Sequence, residues 1–369
     1  MRVLYDFQIF EEQRVGGVSR YFFELMREFQ RMSSPRVLFP LMISDNYYLQ
    51  KGKNLKGTVS RLLQREFRGK YRLRNWLKNY SSQQLERIVR QQAYDLFHPT
   101  YYQPLENNDN RPYVITVHDM IHELFAHQYE ELNGSAFMQQ KKEIILNAAR
   151  IIAISQQTKS DLIRLYGAGI REKIDVVYHG NSLRPLRSKS TQSPVETAYL
   201  LFVGGRNAYK NFDRFFQAIA PLLHPELQLV CVGAPFNESE KEMIRRHGAT
   251  ELVRAVRVSD EGLVDLYQHA MLFVFPSLYE GFGFPMLEAF SCGCPVAASN
   301  SSSLPEVGGE AAIYFDPNDD ESIRSCIAGL IEDPQLRQRM KEKGLQRERE
   351  FSWSRCAAET HKSYQKALR

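Results

Sequence analysis

The stretch Ser277-Leu278-Tyr279-Glu280-Gly281-Phe282-Gly283-Phe284-Pro285-Met286-Leu287-Glu288-Ala289-Phe290 holds the densest set of groups able to do chemistry in this chain of 369 residues. Two carboxylates, Glu280 and Glu288, bracket a turn that contains two glycines. The apolar run Met271 to Phe275 before the turn reads as a buried parallel strand, and Leu287 to Phe290 read as the start of a helix. A strand, a turn and a helix N-terminus in this order present unpaired N–H groups and the positive end of the macrodipole, which attract phosphate. Gly281 and Gly283 let backbone approach a ligand with no Cβ in the way. Glu280, in the loop, is placed to accept from hydroxyls, while Glu288, about one turn into the helix, reaches a second part of the same ligand. Hydroxyls at both ends with phosphates between them describe a nucleotide sugar. Gly281 and Gly283 also begin the Gly-x-Gly-x-x-Gly of a dinucleotide site, but Met286 stands where the third glycine is needed.

Cations occur where such a ligand would need them. Leu200 to Val203 read as a strand, followed by Gly204-Gly205-Arg206-Asn207-Ala208-Tyr209-Lys210-Asn211 and a helix over Phe212 to Leu222. A departing nucleoside diphosphate gains negative charge, and a fixed Arg206 and Lys210 stabilise it more in the transition state than in the ground state. Near the N-terminus the strand Val3 to Asp6 leads to Gly16-Gly17 and a helix from Val18, again a strand-to-helix glycine turn suited to phosphate or a reacting centre. The strand Tyr113 to Val117 ends in His118-Asp119, at the carboxyl edge where ligands of parallel sheets bind. His122 and His127 are five apart, do not share a helical face, and do not form a zincin His-Glu-x-x-His.

The elements that position these groups form a repeating α/β pattern. Further strands are read at Tyr94 to His98, Ile151 to Ser155, Ile174 to Tyr178, Gln228 to Val232, Val253 to Val258, Pro295 to Ala298 and Ala312 to Phe315. Ser155 and Ser259 read as helix caps, the acidic turn Asp316, Asp319, Asp320 as the cap of a helix from Glu321, and Phe351-Ser352-Trp353-Ser354 as the opening of a last helix. The length suits two domains, placed at 1–180 and 198–350 with a polar linker at 181–197 and a C-terminal helix at 351–369. With 43% hydrophobic and 25% charged residues the composition is that of a globular protein. No run of eighteen apolar residues exists, and Met1-Arg2 lead directly into strand, so a cytoplasmic protein is expected. The five cysteines are scattered without a Cys-x-x-Cys pair, which argues against a disulfide framework or zinc site and for small core residues. Residues 51–90 differ from the rest, with twelve basic and two acidic side chains, +10 in a chain of net +5. Leu62, Leu63, Phe67, Tyr71, Leu73, Trp76, Leu77 and Tyr80 interleave with them, which predicts a basic amphipathic helix or helix pair: a solvated face, a nucleic-acid surface, or a dock on an anionic leaflet.

The paired glutamates with their flanks, Pro276-Ser277, Gly293-Cys294-Pro295-Val296 and Ser302 to Val307, resemble the Glu-x7-Glu motif of retaining glycosyltransferases of family 4, which have the GT-B fold. The resemblance spans nearly the whole chain. It implies two doubly wound Rossmann-like domains facing a central cleft, the acceptor on the first, the nucleotide sugar on the second, and the final helix crossing back onto the first. It implies metal-independent transfer of a hexose to an acceptor hydroxyl with retained configuration. Glu280 would hold the sugar hydroxyls, Glu288 the ribose, Arg206 and Lys210 the diphosphate, and His118 the sugar near its reacting side. Gly16, Gly17, Gly205, Val258, Gly281, Phe282, Gly283, Phe284, Pro285, Met286 and Leu287 would complete the donor site. Many relatives have glycine where Arg257 stands, which leaves the base open. Similarity to bacterial mannosyltransferases makes GDP-mannose the first donor, ahead of UDP- or dTDP-hexoses, and a lipid-linked or surface polysaccharide the acceptor. The basic segment would then meet the inner face of the plasma membrane rather than nucleic acid. A nucleotide-sugar epimerase of similar fold and a non-catalytic carbohydrate-binding relative are the alternatives; the latter would be expected to have lost Glu280 or Lys210.

Overall fold

The computed structural model describes residues 1–51, 69–103, 111–132, 134–185, 195–206 and 208–369. The first part of the basic segment (52–68), most of the expected linker (186–194) and Asn207 lie outside the described residues. The chain divides into two compact units, one of Met1–Glu123, Leu132–Gly180 and Trp353–Arg369, the other of Leu124–Glu131 and Asn181–Ser352.

The second unit is built on one six-stranded parallel sheet: β7 (Ala198–Val203), β8 (Leu227–Val232), β9 (Val253–Val256), β10 (Leu272–Phe275), β11 (Val296–Ser299) and β12 (Ile313–Phe315), in the order β12-β11-β10-β7-β8-β9. Every residue of β10 and β11 is buried, as expected for parallel strands covered on both faces. Helix Phe212–Ile219 packs Phe212, Phe215 and Phe216, each at most 1% exposed, in the same core as Leu200 and Phe202 of β7. The chain runs outward from β7 to β9, then returns to β10 on the other side of β7. The loops after β7 and β10 therefore leave their shared edge in opposite directions, which opens a crevice at the carboxyl ends.

The first unit contains β1 (Arg2–Tyr5), β2 (Arg36–Leu38), β3 (Leu96–His98), β4 (Val114–Val117), β5 (Arg150–Ala153) and β6 (Ile174–Val176), ordered β2-β1-β3 and β4-β5-β6. A single parallel bridge, Phe97 to Tyr113, links β3 to the approach of β4. Here the order reverses between β1 and β3. Helix Trp353–Ala367 belongs to this unit, and its Tyr364 hydroxyl lies 2.6 Å from that of Tyr5 and 2.7 Å from His98 Nδ1. All eleven strands read from the sequence are present to within two or three residues. β2 was not foreseen because it is a three-residue strand on the edge of its sheet, with no fully buried residue to give a pattern.

Local chemistry sets the ends of the helices. Ser155 Oγ accepts from the Thr158 amide at 3.0 Å and Ser259 Oγ from Gly262 at 3.3 Å, both as N-caps, and Asp319 caps helix Asp320–Glu332. The helix expected from Leu287 begins earlier, at Phe284, because Gly283 takes the left-handed conformation (φ +107°) and Pro285 is preset for a first helical turn. Among its described residues the basic segment contributes helix Lys70–Arg90, whose Leu77 and Val89 are buried. Tyr71 (72% exposed), Trp76 (59%), Leu73 and Tyr80 remain outside, so its apolar residues do not all face one core. Four of the cysteines are buried and Cys326 is half-buried, all as free thiols.

Candidate active site

The loops after β7 and β10 bring together residues seventy apart in sequence. Lys210 Nζ is 2.7 Å from Glu280 Oε1, with 23% and 13% of the two side chains exposed. The ammonium also lies 5.0 Å from the centre of the Tyr209 ring, a cation–π contact. Backbone stitches the two loops, since Leu278 N–H donates to the Tyr209 carbonyl at 2.8 Å. Asn211, in the left-handed region at φ 57°, sends its amide to the carbonyls of Pro276 (3.2 Å) and Pro317 (2.8 Å). Asparagine is one of the few residues that hold this conformation readily, so Lys210-Asn211 works as a pair: one residue supplies charge, the next fixes the loop.

Serines hold Glu280. Ser277 Oγ donates to Oε1 at 2.7 Å, Ser302 Oγ accepts the Glu280 amide at 2.9 Å, and Ser303 Oγ donates to the Glu280 and Phe282 carbonyls at 2.8 and 3.1 Å. Ser302 has φ +52°, a strained position for a residue with a Cβ. In the sequence Ser277 and Ser302 stand only as parts of the flanking pattern, and Ser303 carries no role. Hydroxyls this common carry no signal until the fold converges them. At Gly283 a Cβ would stand 2.9 Å from Leu304 Cδ2, so the glycine answers both the positive φ and the close approach.

The remaining expected donor residues take different places. Met286 and Leu287 are 0% exposed, so anything they give a ligand is backbone. Pro285 has no N–H and that of Met286 donates to the Gly283 carbonyl at 3.0 Å, which reduces the amides the first helical turn can offer. Glu288 is 4% exposed on the same helix. Val258 lies past the end of β9 and is 41% exposed, and Gly205 is exposed in the loop after β7. Arg206 is turned inward: its Nε and Nη2 meet Glu240 at 2.8 and 3.2 Å, Nη2 donates to the Pro235 carbonyl at 2.9 Å, and Phe236 stacks at 4.7 Å. Glu240 is also the N3 residue of the capping box of helix Glu238–Arg246. Lys210 therefore stands beside Glu280, while the charge of Arg206 is neutralised by a buried partner that the sequence did not reveal.

In the first unit, Gly16 is the N-cap of helix Gly17–Phe29, and Gln13 Oε1 accepts the Ser19 amide at 3.2 Å, so a side chain already satisfies one helix-start donor. His118 follows β4 and packs edge-on to Tyr21, ring centres 5.2 Å apart. Its Nε2 is buried without a hydrogen-bond partner among the described residues. Burial pushes its pKa down to about 4, so the imidazole is neutral around neutral pH. Beneath it, His98 bonds Tyr364 and, through Nε2 at 2.9 Å, Thr116; burial lowers it to about 3. Asp6, just past β1, accepts from the Thr100 amide at 3.0 Å and is raised to about 6 by burial. His122 and His127 join no metal-binding cluster among the described residues.

Two Rossmann-like units, the second with a lysine–glutamate pair at its sheet's switch point, define a class of α/β fold, and comparison supplies the family. Residues 15–183 match Glycosyltransferase Family 4 and residues 184–347 match Glycosyl transferases group 1. The chain is 31% identical over 265 residues to O-antigen chain mannosyltransferase B of Escherichia coli, covering 68% of this chain and 69% of that protein. It is 29% identical over 240 residues to MMP alpha-(1->4)-mannosyltransferase of Mycolicibacterium hassiacum, covering 63% of this chain and 57% of that one. Among solved structures, sucrose-phosphate synthase from Thermosynechococcus elongatus superposes with a TM-score of 0.73 at 19% identity, covering 99% and 98% of the two chains. HepE of Anabaena, in complex with UDP and glucose, gives 0.72 at 17% identity and 99% coverage of both. The protein belongs to the family 4 glycosyltransferases and has the GT-B fold.

Proposed function

We propose that this glycosyltransferase moves a hexose, mannose first among candidates, from a nucleotide sugar to a hydroxyl of a lipid-linked or surface polysaccharide, with retained anomeric configuration and without a metal. The observation that carries the reading is the Lys210–Glu280 pair at the reversal of the six-stranded sheet. Lys210 meets the donor diphosphate, and Arg206, already paired with Glu240, contributes the smaller share of positive charge. The start of helix Phe284–Ser291, the turn Gly281 to Gly283, and Gly205, Gly16 and Gly17 approach the phosphates; Glu280 takes the sugar hydroxyls, Glu288 the ribose, Val258 the base. His118, neutral and with Nε2 unpartnered among the described residues, faces the transferred sugar. The bond from C1 to the phosphate oxygen breaks, C1 bonds the acceptor oxygen on the same face, and the acceptor proton passes to the departing diphosphate. Fixed cations stabilise the charge that develops there.

Similarity to two mannosyltransferases supports mannose as the sugar, and GDP is the nucleotide proposed with it. Helix Lys70–Arg90 supports docking on the anionic inner leaflet of the plasma membrane: Trp76 stacks on Tyr80 with ring centres 5.6 Å apart, and Arg72 lies one turn before Trp76 on the same face, on a helix that also carries Lys70, Arg74 and Lys78. None of the described helices is long and apolar enough to cross a membrane. The test is thermal-shift measurement with GDP, UDP, dTDP and their hexose conjugates, repeated on Lys210→Ala. One nucleotide should raise Tm in the native chain and fail to do so in the variant. No shift with any of them, or a shift untouched by Lys210→Ala, would remove this reading.

A further inference from the structure

Helix Ser135–Asn147 carries a lysine that the proposed reaction leaves unused. Lys141 is 1% exposed. An ammonium so deeply placed is costly unless its partners satisfy it, so the partners say what it does. Nζ donates to Glu123 Oε2 at 2.9 Å and to the main-chain carbonyl of Asp119 at 2.9 Å, and lies 5.2 Å from the centre of the Tyr102 ring. The Tyr102 hydroxyl accepts the amide of His118 at 3.4 Å. The other oxygen of Glu123 accepts from the Tyr166 hydroxyl at 2.9 Å, and Gln140, next to Lys141, donates to the Tyr102 carbonyl at 2.6 Å. Two adjacent side chains of one helix thus hold both the loop after β3 and the loop after β4. The dipeptide His118-Asp119 is fixed from its first amide to its last carbonyl.

We infer that Lys141 is a positioning residue for His118, acting through the Asp119 carbonyl as the centre of a buried brace with Glu123, Tyr102 and Tyr166. A pair needed for stability alone could be replaced by apolar side chains of similar size, often at no cost. An ammonium–carbonyl bond is directional, and no apolar residue supplies it. The brace also explains how a loop as short as His118-Asp119-Met120 at a sheet edge keeps an imidazole in one place while its Nε2 has no hydrogen-bond partner among the described residues.

This inference rests on the reading that His118 faces the transferred sugar. The test uses the full chain with Lys141→Met and Glu123→Leu together, which removes both charges and leaves neither orphaned, and Tyr102→Phe as a milder second variant. Tm reports the fold. Hydrogen exchange of the peptide spanning 118–121 reports the brace, and turnover is followed with whichever of the GDP-, UDP- and dTDP-hexoses raises the native Tm. Expected for the double variant are a Tm near the native value, exchange at 118–121 at least about tenfold faster, and kcat down about tenfold or more with donor KM nearly unchanged; Tyr102→Phe should move each in the same direction by less. Native exchange at 118–121 in a folded double variant overturns the brace, and faster exchange with native kcat overturns its role in turnover. His118→Ala separates the premise: if that variant keeps full turnover, the assignment of His118 fails whatever Lys141 does.

Discussion

The crevices at the two sheet reversals are built from opposite materials. In the second unit, the loops after β7 and β10 present a partly exposed ion pair, Lys210 with Glu280, held by serine hydroxyls. In the first unit, the loops after β1, β3 and β4 are backed by His98, His179, Tyr5, Tyr21 and Tyr364, all fully buried, with imidazoles that burial keeps uncharged. One site keeps its ion pair within reach of solvent; the other buries neutral imidazoles and hydroxyls and holds its charges, Asp6 and the Lys141–Glu123 pair, behind them in hydrogen bonds. In the transfer proposed above, the cation of the second unit is the group that stabilises charge on a departing diphosphate.

The contrast can be broken on its charged side with Glu280→Gln, which keeps the shape and removes the carboxylate charge. The expected result is a kcat lower by about 10³-fold, on the order of 4 kcal/mol of barrier, with Tm almost unchanged; a loss below tenfold would show that the pair is structural. On its neutral side, acid is the lever. His98, His118 and His179 have folded pKa values below the ordinary value, so the unfolded chain binds protons first and stability falls as pH drops below about 6.5. Asp6, raised to about 6, works the other way, gaining stability as pH falls through that value, but it is one group against three. Denaturant titration should find the first unit weaker at pH 5 than at pH 7 by a few kcal/mol, and a Tyr364→Phe variant, which removes one partner of His98, should change the size of that dependence. A flat profile would mean that the histidines are not neutral and buried as drawn.

Smaller changes sharpen the comparison. Ser302→Ala removes the acceptor of the Glu280 amide while leaving the strained φ, and should lower kcat about tenfold with a stability loss of about 1 kcal/mol. Ser302→Gly relieves the strain and should restore stability but not kcat. A variant pair that moves together in both measures would assign Ser302 to folding alone. Smallest is Asp333→Ala, which deletes the cap of helix Pro334–Glu348 and should cost about 1 kcal/mol in denaturant titration with turnover intact.

The sequence by itself determined the strand count to within β2, the glycine turns, the paired glutamates and the lysine. Apolar runs, glycines with forced φ and caps are local signals, set by hard-sphere geometry and by burial on both sheet faces. It also pointed to the family, through the resemblance that Glu280, Glu288, Lys210 and their flanks carry, and the comparisons show that family. What it did not determine is which groups meet. Arg206 reads as a free cation beside Lys210, and only the packing of helix Glu238–Arg246 against the loop after β7 hands it to Glu240. Helix Ser135–Asn147 carries its apolar residues in two blocks, Ala136 to Met138 and Ile144 to Leu146, so neither the helix nor the burial of Lys141 shows as a period. Ser277, Ser302 and Ser303 become a cradle only when strand order brings their loops to one edge. Partnership between polar groups is decided by tertiary structure because any carboxylate or hydroxyl serves equally well in sequence, and burial makes the one within 3 Å of its partner indispensable.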